Sequence, residues 1–255
     1  MGNVRLRYPK KIQTSRPKYM TAKQILEELK PLGKESYKRV IRDNHGAKEP
    51  CFGVPVSEMK KIQKRIKQDY QLALDLYDTG NYDAMYLAGL IADDARMTQK
   101  DLQHWVDKAY GGSLPGATVA WVAAESPHGR TMALKWIDSP KAHVATAGWS
   151  TLSSLVAITD DAKLDLPELK KLVQRVQKSV HTAPDAVRRP MIGFLIAVGS
   201  YVAPLTEFAL EIGEKIGPVT ADLGNNDCQM PFAPDYIRKV QKRGSIGKKR
   251  KMAKC

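Results

Sequence analysis

From Gln68 onward the sequence reads as one helix after another, and this rhythm constrains the fold more than any other feature. Apolar residues recur at three- and four-residue spacing over 70–77, 83–92, 99–109, 118–125, 129–137, 142–157, 167–180, 186–198 and 205–216. Gly, Pro, Asn or Asp punctuates nearly every junction. No alternating β-branched pattern lies between these segments, so the spacing predicts an all-α chain of stacked antiparallel helix pairs. Such a stack curves and creates a concave groove.

Before residue 68 the signals are more varied. Residues 1–20 mix Pro, Lys and Arg without periodicity and read as a flexible basic arm. Thr21 with Gln24 fits a capping box, which opens a helix that Pro31 and Gly33 close, and a second helix follows over 35–43. The run EPCFGVPV at 49–56 holds two prolines and a glycine, so a shaped loop is expected rather than a strand. Ser57 then reads as an N-cap, with Met59, Ile62 and Ile66 on one helix face and Lys60, Lys61, Lys64, Arg65 and Lys67 on the other. That basic face has two readings, a solvated surface or a DNA contact. Residues 217–255 leave helical period except for a short segment at 236–241, so they form an irregular extension ending in a basic tail. The repeat domain spans 21–216. Exact sequence repeats are not visible, and degenerate HEAT-like units forming an armadillo-type superhelical solenoid are the nearest named class.

Charge distribution limits the partners. The net charge is +14, yet residues 1–23 carry seven Lys/Arg with no acid and residues 238–255 carry nine with none. The 25 bases and 27 acids of residues 24–237 leave that body at −2. An electrostatic grip on phosphate is therefore expected mainly from the two ends. Within GSIGKKRKMAKC, Lys248, Lys249, Arg250 and Lys251 concentrate positive charge and are candidate DNA contacts, a loose solubilising tail being the other reading. No apolar run approaches the roughly 20 residues of a membrane span, so no membrane partner is expected. Cys51, Cys228 and Cys255 share no close spacing, which indicates neither a disulfide framework nor a metal site and fits a reducing cytoplasm.

The stretch 116–149 contains three of the four tryptophans. Val119, Val122, Ala123, Met132, Trp136 and Ile137 share helical spacing and read as core. The polar remainder is Glu125, Ser126, His128, Arg130, Asp138 and His143, with Glu125 and His128 flanking a Ser-Pro break. There they form either a general acid/base pair or a helix-capping arrangement.

The Phe52–Val54 loop, the segment MYLAGLIADDA from Met85 to Ala95 and above all RRPMIGFLIAVGSY from Arg188 to Tyr201 resemble the DNA alkylation repair (AlkD-like) DNA glycosylase family. The resemblance covers nearly all of 21–216. It implies a HEAT-like solenoid that cradles duplex DNA and, in active members, hydrolyses the N-glycosidic bond of cationic N3- and N7-alkylpurines without a cofactor. A carboxylate there stabilises the developing positive charge on the sugar, and aromatic walls favour the cationic nucleotide. The family's Trp-Asp-Thr-Val-Asp stretch aligns with Gly116-Ala117-Thr118-Val119-Ala120, which replaces the aromatic wall by Gly116 and the carboxylate by Ala120. An Arg-Arg pair that grips phosphate falls on Ala145 and Thr146, whereas Phe194 keeps an aromatic residue and Arg188 and Arg189 precede it.

Three functions follow as expectations. The first is duplex DNA binding through the groove and the basic tails, with base excision weak, altered or absent. The second is an active glycosylase with Glu125 as a relocated carboxylate and Trp121, Trp149 and Phe194 as walls. The third is a scaffold that binds a protein partner. Arg188 and Arg189 are the further candidate DNA contacts.

Overall fold

The computed structural model describes residues 20–222 and 229–254. The basic arm at 1–19 lies outside them. The helices are α1 (Ala22–Leu29), α2 (Glu35–His45), α3 (Val56–Ile66), α4 (Tyr70–Asp78), α5 (Tyr82–Ile91), α6 (Gln99–Lys108) and α7 (Ala120–Glu125). They continue as α8 (Gly129–Trp136), α9 (Ala142–Ile158), α10 (Leu166–Ser179), α11 (Asp185–Tyr201), α12 (Thr206–Ile216) and α13 (Ala233–Lys242). No strand occurs among the described residues.

Local chemistry sets the boundaries. Thr21 accepts from the Gln24 backbone while the Gln24 side chain accepts from Thr21 N–H, completing the expected capping box. Thr98 and Asp101 form a second box at α6, and Asp69, Asn81 and Asp165 cap α4, α5 and α10. At α3 the expected Ser57 cap is replaced by Pro55. Its carbonyl accepts from the N–H groups of Glu58 and Met59, and the ring's fixed φ of −59° leads the chain directly into the helix.

The helices build two layers of a helical-repeat solenoid. One row runs α5, α7, α9, α11, each packed on the next through α7 and the π-helical turn before it, and the outer row α4, α6, α8, α10, α12 packs behind. Glycines let neighbouring helices approach. A Cβ at Gly89 would lie 2.5 Å from Thr118 Cγ2, and one at Gly148 would lie 2.7 Å from the Ile137 amide nitrogen. Two apolar clusters share α8 and α9: Met132, Trp136, Val144 and Ala147 belong to the N-terminal one, Ala133, Ile137, Ala145 and Trp149 to the C-terminal one. Ile137 therefore turns away from the Met132 and Trp136 face with which its spacing grouped it. No single described helix is long and apolar enough to cross a membrane.

Candidate nucleic-acid interface

The inner row presents small groups. On α9, Ser150, Ser153 and Ser154 are half-buried, and on α11 the half-buried Gly193 has open space where a Cβ would lie. A Cβ at Gly116 would make ordinary contact with Ser150 Oγ and Thr146 Cγ2, each 3.6 Å away. Ala145 and Thr146 are buried, and the Thr146 hydroxyl donates to the Ala186 carbonyl at 3.0 Å. Those two positions therefore tie α9 to α11.

Leu114–Val119 forms a π-helical turn that runs into α7. Its extra residue per turn rotates the face that follows. Counting along the chain puts Gly116 and Ala120 at the wall and carboxylate positions, but Ala117 and Trp121 are the residues that line a cavity of 240 Å³, and Ala120 is fully buried. Trp121 meets Tyr86 edge to face, with ring centroids 5.9 Å apart and an interplanar angle of 83°. His45 lies at the same cavity. Desolvation against the cavity wall, and then the Arg189 charge, hold the pKa of the exposed His45 below the usual histidine value, so its imidazole is neutral at pH 7. Arg189 itself is exposed.

One wall of this cavity is set by Asp83 in the first turn of α5. Asp83 is completely buried; Oδ2 accepts from the N–H groups of Phe52 (2.6 Å) and Gly53 (3.2 Å), and Oδ1 accepts from Val54 at 2.8 Å. The expected shaped loop is thus wound around one carboxylate. Gly53 is required there, since its φ is +74° and a Cβ would lie 2.6 Å from Lys38. Burial and the neighbouring Asp83 push the Cys51 thiol up to about 12, which keeps it protonated.

The remaining predicted residues are dispersed. Trp149 and Phe194 pack on each other with centroids 5.4 Å apart, and both are buried in the C-terminal cluster, with the Arg175 guanidinium 5.7 Å from the Trp149 ring. Arg188 donates to the carbonyls of Ala183 at 2.8 Å and Thr220 at 2.7 Å and pairs with Asp185 at 3.1 Å, so it braces the start of α11. Ser126 caps the break after α7, accepting from His128 N–H at 3.2 Å and donating to Ala123 O at 2.8 Å. Arg130 pairs with Glu168 and Asp138 with Arg175. On α3, Lys61 pairs with Glu58 and Arg65 with Glu28, while Lys60 and Lys64 are exposed.

Glu125 is engaged by the chain's own tail. Its Oε1 accepts from Ala253 N–H at 2.6 Å and Lys254 N–H at 3.3 Å. The tail is a strap and crosses the C-terminal ends of the inner helices in reverse chain order. Gly247 N–H donates to Ser200 O of α11, Arg250 N–H to Ala157 O and Lys249 Nζ to Val156 O of α9, and Lys254 Nζ to Ala92 O after α5. Cations at helix C-termini also favour the macrodipole. Lys249 pairs with Asp161 at 2.8 Å and Lys254 with the buried Asp94 at 2.7 Å. Lys248 and Lys251 are exposed. Burial raises the Asp94 carboxyl to about 6 against the opposing pull of Lys254, and the Glu125 charge adds to the rise.

Sequence spacing did not single out Asp83 or Asp94 as organisers. The one local signal at Asp83 is its place in the first turn of an apolar helix beside Asn81, where a carboxylate favours the helix start.

Comparison with known proteins adds three findings. A family model described as DNA alkylation repair enzyme matches residues 25–215. The uncharacterized proteins Lin0241 of Listeria innocua and Lmo0209 of Listeria monocytogenes are each 28% identical to this chain over 230 residues, covering 88% of it and 99% of the relative. A solved structure described as "a new family of proteins related to the HEAT-like repeat DNA glycosylases with affinity for branched DNA structures" matches with a TM-score of 0.85 at 37% identity, over 92% of this chain and all of that one.

Proposed function

Because the chain belongs to the DNA alkylation repair family, we propose that it binds duplex and branched DNA along its inner face and does not release alkylated purines. The observation that carries this reading is the engagement of Glu125 by Ala253 and Lys254 N–H. A carboxylate already accepting two backbone donors is a poor stabiliser of an oxocarbenium-like sugar, and the positions the family alignment assigns to wall and carboxylate hold Gly116 and Ala120. The affinity for branched DNA described for the matching structure supports the branched substrate.

Exposed Arg189, Lys248, Lys251, Lys60 and Lys64 supply phosphate contacts in this reading. Lys249 and Lys254 contribute less, because each is committed to an acid. The test is twofold. Base release from methylated duplex is measured for the intact protein and for Glu125→Gln, and binding to a duplex and to a four-way junction is measured across a salt series. Binding without release is expected, with K falling on log–log axes by roughly 0.9 per phosphate contact. Replacing Lys248 and Lys251 together by Ala should flatten that slope by about 2 at most. Release that disappears in Glu125→Gln would establish a relocated catalytic carboxylate instead, and neither release nor binding would direct attention to a protein partner.

A further inference from the structure

We propose that the aromatic cavity between α2, α5 and α7 receives one unpaired nucleobase of the bound DNA. This rests on the DNA-binding reading above and adds to it a defined subsite. The cavity of 240 Å³ is lined by Tyr37 and His45 from α2, Tyr82 and Tyr86 from α5, Ser113 from the loop before the π-helical turn, and Trp121 from α7. That volume lies below the roughly 300–1,000 Å³ of pockets that hold drug-sized molecules, and it suits a single planar ring system.

The walls favour such a guest for three reasons. Tyr86 and Trp121 stand nearly perpendicular, so a flat ring lying parallel to one meets the edge of the other, the two arrangements that aromatic quadrupoles prefer. Tyr82 is buried, so its ring is a fixed wall. The Asp83 carboxylate behind the wall already accepts three backbone N–H groups, so it does not compete for the guest's donors.

The polar groups are also placed for a nucleotide. A neutral imidazole carries one donor and one acceptor, which matches the mixed hydrogen-bonding edge of any base. The charge of exposed Arg189 of α11 acts on His45, so a cation is available to the attached phosphate. Stacking, with an edge partner that can both donate and accept, is tolerant of base identity. The subsite therefore selects the unpaired state of a base, which occurs at branch points, rather than a sequence.

The experiment compares two four-way junctions, one fully paired and one carrying a single unpaired 2-aminopurine at its centre, each binding the full-length protein. The unpaired base should raise affinity on the order of ten-fold, and its fluorescence should fall on binding. Tyr86→Leu and, separately, His45→Ala should each remove most of that gain while leaving affinity for the fully paired junction within two-fold. His45 is exposed, so its replacement keeps the test valid if Tyr86→Leu lowers stability. Equal affinity for both junctions, or a gain that survives both substitutions, would overturn the subsite while leaving DNA binding intact. Failure to bind either junction would overturn both readings.

Discussion

Removal of the Lys254 ammonium should destabilise the protein in a pH-dependent way. Lys254 and Asp94 form a pair whose side chains are 10% and 8% exposed, at 2.7 Å. In Lys254→Met the stem is roughly preserved and the charge is lost, which leaves Asp94 buried beside the negative Glu125. Breaking a buried pair from one side typically costs about 3–5 kcal/mol. Asp94 has an alternative, because its carboxyl already titrates at about 6, and without the cation it should titrate higher still. It then meets neutral pH by binding a proton rather than by remaining charged and unpaired.

The sign follows from linkage. The native carboxyl binds its proton more tightly than the unfolded one, so its contribution to stability is fully present below about pH 4 and is lost as pH rises through about 6. The loss in the unmodified protein is roughly 3 kcal/mol from this group. In Lys254→Met the decline extends to higher pH, and each further pH unit adds about 1.4 kcal/mol to the cost of the substitution. Urea unfolding of both proteins at pH 5 and pH 7.5 measures this directly. The substitution should cost about 1 kcal/mol at pH 5, where Asp94 is mostly protonated, and about 3 kcal/mol at pH 7.5. Equal costs at the two pH values would refute the assignment of the Asp94 pKa to burial opposed by Lys254.

Asp83→Asn replaces an acceptor by an amide NH2 facing one of three backbone donors, so urea unfolding should show a loss of about 3 kcal/mol; a loss below about 1 kcal/mol would mean the 52–54 loop is held by other contacts. Phe194→Leu should cost about 1–2 kcal/mol by thinning the contact with Trp149, with junction affinity of the folded protein unchanged; a selective loss of DNA affinity would return Phe194 to the binding surface.

The order and type of elements were legible because helical period and capping chemistry are local. The Thr21–Gln24 box lies within four residues, and the loop at 49–56 announces itself by its prolines and glycine. The site was less legible because its organising contacts span the chain. Asp83 meets its loop across about 30 residues, and the strap reaches Glu125 and Asp94 across 128 and 160. A basic tail with two glycines has the composition of a free end, yet every second or third residue of it finds a partner. The 116–121 segment is also hard to read from sequence, since Ala117 and Trp121 line the cavity beside the π-helical turn while Ala120 is fully buried.

The strap also changes how the solenoid behaves as a body. In a plain helical stack each repeat contacts only its neighbours, so bending accumulates from one end to the other. Here one segment is bonded to the ends of α11, α9, α7 and α5 in turn. A change in the spacing of any two of these helices must stretch or break a tail contact. The strap thereby fixes the curvature of the inner face, and under the proposed DNA-binding reading this preorganisation lowers the ordering cost of binding. The same fixation explains the position of Glu125: a carboxylate at the end of α7 accepts N–H groups of an extended chain much as a helix end accepts a cap. Its commitment to shape has one cause, the tail that lies against it.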